Sequence, residues 1–252
     1  MLLYPPQPLK DETRALLAQA STASLTVQLR KRGIHSVFIA GVRALNPSAA
    51  RFVGPAFTLR HIPMREDITR WEIRGHPEFP QRQAIEGTPP GHVLIMDCRG
   101  ETRAGMAGDI LVKRLQTRGV TALVADGPMR DAGALAQFDF PIFCAGAAAP
   151  ASLTRHHAIA VQQPIACGGV AVLPGDILVG DADGVVVIPS NIADDIAPAT
   201  VEQERFERFA QIQVARGLAP SDFIPRRSHF ARAAEMARME VNHDQRNQIR
   251  VG

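Results

Sequence analysis

One stretch constrains this chain more than any other. From Gly91 the sequence runs through an apolar stretch, Val93 to Met96, that ends at Asp97, and then a glycine-containing turn, Gly105-Met106-Ala107-Gly108-Asp109. The helix-patterned ILVKRLQTR follows and ends at Gly119. A second short apolar run, Val120 to Ala125, leads into the turn Asp126-Gly127-Pro128-Met129-Arg130-Asp131. Apolar runs this short read as strands, glycine past a periodic stretch stops a helix, and strand and helix in alternation favour a mixed α/β fold. The helix and strand between the two turns could bring both turns to one end of a sheet.

The flanking segments agree with that class. Residues 11–32 show leucines at helical spacing, with Thr22 or Ser24 able to cap a second segment and Gly33 as a stop. Val37 to Val42 reads as a strand. Residues 52–60 read as another, with Gly54-Pro55 suggesting an edge or a bulge. Residues 61–91 are rich in charge, proline and glycine and hold the single tryptophan, Trp71, which suggests an insertion or lid. A short strand is expected at 141–144 and a longer one at 158–172, broken by Pro164 and Gly168-Gly169. A hairpin is expected over 176–188 with Ala182-Asp183-Gly184 in its turn. Beyond 190 the pattern is helical and polar, with a second helix expected over 228–242. The expected division is a catalytic domain at 1–190 and a helical extension at 191–252 that packs on a neighbouring subunit.

Composition excludes several functions. The 252 residues carry a net charge of +3 and few aromatics, not interleaved with arginine, so a nucleic-acid stripe is not expected. Cys98, Cys144 and Cys167 are widely spaced with no C-x-x-C pair, so they read as small core residues rather than a zinc cluster or disulfide framework. The histidines show no H-x-x-x-H or H-E-x-x-H spacing, the serines no G-x-S-x-G, and the glycines no Walker pattern. No apolar run approaches a membrane span and the N-terminus is unlike a signal peptide, so a soluble, cytoplasmic protein is expected.

Asp109 and Asp131 each sit at a turn. Two loop carboxylates suit a hard divalent cation such as Mg²⁺ or Mn²⁺; equally, both residues could be helix caps or turn formers. Arg130 can grip a carboxylate in a bidentate way or offset developing enolate charge; a surface ion pair is the plainer reading. Gly105 and Gly108 could turn amides toward an anion at a helix start, or simply form a turn.

These residues carry a resemblance. Gly105-x-x-Gly108-Asp109, twenty residues and then Arg130-Asp131 resemble the signature of the RraA-like family, which includes class II 4-hydroxy-4-methyl-2-oxoglutarate aldolases that also decarboxylate oxaloacetate. The block Gly119 to Asp131 is similar to the family's, as are Gly168 to Asp176 and Asp181 to Pro189, so the likeness covers roughly 100–190. The resemblance implies a compact swivelling β/β/α domain assembled as a homotrimer or a homohexamer. It implies Mg²⁺ or Mn²⁺ held by Asp131, and Arg130 gripping the pyruvyl group. Asp109 would hold a water in the metal's shell and take part in proton transfer. The backbone of Gly105, Met106, Ala107 and Gly108 would receive a substrate carboxylate. The implied activity is that of a carbon–carbon lyase on a 2-keto or hydroxy acid, by retro-aldol cleavage or β-decarboxylation through a metal-stabilised pyruvate enolate. A glutamate from a neighbouring subunit's C-terminal helix can complete such sites, and Glu204 or Glu207 could serve. The long 61–91 segment and the tail after 218 depart from the minimal family and leave the acid open. Dehydration of a sugar acid, or a non-catalytic role regulating a ribonuclease, are the alternatives.

Overall fold

The computed structural model describes residues 5–223. Two helices open the chain, α1 (Asp11–Leu17) and α2 (Thr22–Lys31). They are followed by β1 (Arg43–Ala44), β2 (Phe52–Pro63), α3 (Pro80–Gly87), β3 (Val93–Asp97), α4 (Asp109–Thr117), β4 (Ala122–Ala125), α5 (Ala132–Leu135) and β5 (Ile142–Cys144). Next come β6 (His156–Val161), β7 (Ile165–Cys167), β8 (Val170–Val172), β9 (Ile177–Asp181), β10 (Gly184–Ile188), the long α6 (Ala193–Ala215) and a single turn, α7 (Pro220–Phe223). The fold is α/β, with a helix at the C-terminal side of the sheet region.

The main sheet runs β1-β5-β4-β3-β2-β9-β10, with β6 also paired to β2. Its centre, β2-β3-β4-β5, is parallel. Every residue of β3 and β4 is buried, as expected of parallel strands covered on both faces. Alternation then sorts them into layers. Leu94, Met96, Leu123 and Ala125 face a core closed by α3, α4 and α5. Val93, Ile95, Ala122 and Val124 face a second core shared with the β7–β8 hairpin and β10. A third core lies between β9–β10 and α1, α2 and α6, around Leu17, Leu25, Leu29, Val179 and Ile196.

Several expectations change. Gly54-Pro55 lies at neither an edge nor a bulge: β2 is central. It pairs with β9 over Phe52–Pro55, then with β3 from Ala56, so the missing N–H of Pro55 falls where the strand changes neighbours. Gly54 is there for close approach, since a Cβ would stand 2.8 Å from Gly91 O. The one irregularity of β2 comes later, between Arg60 and His61. Residues 37–42 form no strand. Phe38 makes an isolated bridge to Val186 while Ile39 and Val37 bond to β10.

The 61–91 segment is only partly an appendage. Residues 61–63 finish β2, and Phe79, which caps α3, and Ala84 and Ile85 within it are buried in the first core; the exposed portion is about 64–78, with Trp71 on it. The first turns of α6 bury Ile196 and Ala197 against α1 and α2 of the same chain. The helix expected over 228–242 lies outside the described residues. No helix among the described residues is long and apolar enough to cross a membrane.

Candidate active site

The site follows from the parallel pairing. Met96 pairs with Ala125, so β3 and β4 end level, and the loops leaving their carboxyl ends start side by side. In open α/β sheets, ligands bind beyond those ends. The two loops are joined by their own backbone: Met106 N donates to Pro128 O at 2.8 Å and Arg130 N to Ala107 O at 2.9 Å. The loop after β5 adds a third member, with Gly105 N on Pro150 O (2.9 Å), Met129 N on Gly146 O (2.9 Å) and Ala148 N on Met129 O (3.0 Å). Gly105 allows this closeness. A Cβ there would sit 2.6 Å from Ala148 O and 2.7 Å from Arg130 N.

Asp126 anchors the second loop. Its buried carboxylate accepts from Cys98 N, from Gly100 N at 3.2 Å and from Gly168 N at 3.3 Å. Three amides converging on one carboxylate fix where the Asp126–Asp131 turn begins. Read as sequence, Asp-Gly after an apolar strand signals a turn, and nothing marks this aspartate as a hub.

Asp131 has φ 55° and ψ 32°, the left-handed region that a non-glycine residue enters only at a cost. That conformation turns its carboxylate back over Gly108, where a Cβ would stand 2.4 Å from Oδ2, and toward Asp109 N at 3.4 Å. Asp109 opens α4, and its Oδ1 accepts from Ile110 N at 2.8 Å. So Asp109, Arg130 and Asp131, ambiguous as isolated residues, meet at the N-terminus of one helix. The Arg130 Nε is buried with no hydrogen-bond partner among the described residues. A buried donor left open in an otherwise bonded loop is a natural contact for a ligand. The expected set of amides narrows, because Gly105 N and Met106 N are already used on carbonyls. Ala107 N and Gly108 N carry no hydrogen bond among the described residues.

A cleft of about 630 Å³ opens over these groups. Gly105 to Asp109, Arg130 and Asp131 line it, together with Trp71, Arg74, Gln81 and Arg82. The buried Gln81 ties the two groups together, its Nε2 donating to Met106 O at 2.7 Å. The second group was not foreseen, because its residues lie in a segment whose composition reads as surface. Glu204 and Glu207 are elsewhere. Glu204 Oε1 accepts from Ser21 N at 2.9 Å, and Glu207 faces Ser24 Oγ at 3.4 Å, so both are engaged at the start of α2 in their own chain.

The model of the RraA-like family, described as aldolase/RraA, matches residues 18–187. The chain belongs to this family. Its relatives include a "Putative 4-hydroxy-4-methyl-2-oxoglutarate aldolase" of Halalkalibacterium halodurans, 39% identical over 45% of this chain and 54% of that protein. Another is protein DlpA of Legionella pneumophila, 24% identical over 80% of this chain and 31% of that one. The chain thus spans about half the length of the first relative and about a third of the second. Among solved structures, RraAS2 of Streptomyces coelicolor, titled an unusual member of the RNase ES inhibitor RraA protein family, superposes with a TM-score of 0.71. It is 32% identical and covers 82% of this chain and 99% of its own. The family names support an aldolase or lyase lineage that also contains the RraA regulators. The loops after β3 and β4, which build the cleft wall, lie wholly inside the matched region.

Proposed function

We propose that the protein is a divalent-metal-dependent lyase that cleaves a 2-oxo acid by retro-aldol reaction or β-decarboxylation, releasing pyruvate. The observation that carries this reading is the pairing of Arg130, its Nε open, with the Asp131 carboxylate held over Gly108 at the head of α4.

The residues fit Mg²⁺ or Mn²⁺. Among the described residues no three His, Cys, Asp or Glu side chains gather, so a cation here relies on one or two carboxylates with water and substrate, the manner of Mg²⁺. Asp131 would hold it, with Asp109 beside it. Such an ion, when bound, supplies Lewis acidity toward the carboxylate and keto oxygens of the acid.

The chain's own groups do the rest. Ala107 N and Gly108 N, at a helix start, receive the substrate carboxylate. Arg130 donates to the keto oxygen and offsets the negative charge that grows there as the C3–C4 bond breaks. Asp109, through a water, takes the proton of the C4 hydroxyl, the electron pair of the broken bond passes into the enolate, and a proton returned to C3 yields pyruvate. In decarboxylation the same pair is left behind by departing CO₂.

The test is pyruvate release from oxaloacetate and from 4-hydroxy-2-oxo acids with added Mg²⁺. Arg130→Ala and Asp131→Ala should each lose at least about a hundredfold, the scale of removing one oxyanion donor. Full activity in either variant, or no release from any such acid, refutes the reading. A 2-keto product without C–C cleavage would move the assignment to a dehydratase. The Streptomyces neighbour's title raises a regulatory role; partner binding retained in Asp131→Ala, with no turnover, would favour it.

A further inference from the structure

Single apolar side chains scattered over a surface are ordinary and need no account. Two here are not scattered. Ile110 is 80% exposed and Trp71 53%, and both line the cleft that holds Arg130 and Asp131. Neither exposure follows from the packing of its element. Helix α4 buries Val112 and Leu115 and rests Leu111 on the first core, so Ile110 stands off its buried side. Trp71 opens the 3₁₀ turn Trp71–Gly75, in which no residue is buried and Ile73 rests on the first core. The Arg74 guanidinium lies 4.4 Å from the centre of the Trp71 ring, a stacking that orients the indole and still leaves half of it open.

The size of the cleft says what these side chains are for. The pyruvyl head of a 2-oxo acid has six non-hydrogen atoms and fills under about 200 Å³, even at a water's share of about 30 Å³ per atom. The cleft holds about 630 Å³, and Trp71, Ile85, Ile110 and Leu111 all line it. Most of its volume is therefore left to the remainder of the substrate. The place of that remainder follows from the chain: Asp109 serves the C4 hydroxyl, and Ile110 is its direct neighbour at the head of α4.

We infer that Trp71 and Ile110 bind an apolar group carried on C4 of the substrate, so that the protein selects 2-oxo acids with a bulky, uncharged, preferably aromatic tail. This rests on the lyase reading for the reacting head, while the tail's site is measured by binding alone.

The experiment uses the full chain with Mg²⁺ and two probes that lack the C4 hydroxyl, 2-oxobutanoate and 4-phenyl-2-oxobutanoate, which differ only by the phenyl group. Calorimetry should show the phenyl acid binding about 10-fold or more tightly, the scale of burying part of a ring against apolar and aromatic side chains. Trp71 is the single tryptophan, so its emission should shift to the blue with the phenyl acid and not with 2-oxobutanoate. Trp71→Ala and Ile110→Ser should each bring the preference down toward unity, and Trp71→Phe should keep most of it. Equal affinities in the wild type, an unchanged preference in Trp71→Ala, or binding of neither probe overturns the inference. A Trp71→Ala chain that loses subunits on sedimentation while keeping its preference assigns the ring to a second copy of the chain and overturns it as well. Turnover is read separately, with 4-hydroxy-2-oxo-4-phenylbutanoate, which yields pyruvate and benzaldehyde, against 4-hydroxy-2-oxopentanoate, which yields pyruvate and acetaldehyde. Release of pyruvate from neither refutes the lyase reading while the binding result on Trp71 stands.

Discussion

Replacing Gly108 by alanine separates the site from the fold. The new Cβ would be built 2.4 Å from Asp131 Oδ2, whereas ordinary contact begins near 3.4 Å, so the carboxylate must retreat by about 1 Å. Asp131 is exposed and free to swing, and Gly108 has extended backbone (φ −108°, ψ −176°) that any residue adopts. The fold should therefore tolerate the methyl, and the lost freedom of the unfolded chain could stabilise it by about 0.5 kcal/mol. Chemistry should not tolerate it. A misplacement of about 1 Å can cost ~100-fold, equivalent to about 2.7 kcal/mol of barrier. The control is Gly105→Ala, whose Cβ meets backbone at Ala148 O and Arg130 N, neither of which can swing aside. It should lose about 1–3 kcal/mol of stability, as overpacked sites do. The assays are kcat/KM for pyruvate release, Mn²⁺ affinity by calorimetry, and denaturant midpoints. The reasoning fails if Gly108→Ala keeps activity within threefold of wild type, or if it is destabilised as much as Gly105→Ala.

Other outcomes follow from the buried titratable groups. Burial pushes His61 down to about 3 and His156 down to about 4, so both fold as neutral rings. Their stabilisation is full above the unfolded value of about 6.5 and is lost as pH falls toward 4. The two rings are 5.6 Å apart and their effects do not add, so a loss on the order of 3 kcal/mol for the pair is expected in pH-dependent urea melts; a flat profile from pH 7 to 4.5 would contradict it. Asp176 acts oppositely. Burial raises it to about 6, so its favourable contribution is present below 3.8 and lost as pH rises through 6, and Asp176→Asn should fare better relative to wild type at pH 7 than at pH 4.5. Asp126→Ala orphans three amides and should destabilise by about 3 kcal/mol or more, with the turn carrying Arg130 showing early amide exchange; a loss under 1 kcal/mol would remove Asp126 from its anchoring role.

Short-range signals carried well into three dimensions. The pentapeptide of β3, the helix after Gly108 and the hairpin around Asp183 are local patterns, and each forms where the sequence places it. What failed depended on distance. Gly54-Pro55 breaks strands locally, yet β2 is central because its neighbours change at that point. Residues 37–42 have strand composition but meet the sheet through an isolated bridge and scattered bonds. The motif residues Gly105, Gly108, Asp109, Arg130 and Asp131 were legible as a set only through the resemblance. Their convergence depends on loop-to-loop bonds such as Met106 N to Pro128 O, which no periodicity encodes. Arg82 and Gln81 were invisible for a similar reason: polar residues on a short helix look like surface until the loop they touch is known.

The divided loyalty of β2 has a consequence for how the chain acquires its shape. One strand is hydrogen-bonded along its first third to residues near 178 and along its remainder to residues near 95 and 158. No N-terminal half can complete it, and neither can the C-terminal segment without it. One partner of β2, β9, lies more than a hundred residues along the chain from it, so the molecule should unfold without a stable half-built species, and its folding should be slow for its size. A nick in the 64–78 loop would leave two fragments that still need each other. Such fragments should hold together after cleavage and re-form the sheet when mixed, with β2 supplied by one piece and β3, β6 and β9 by the other.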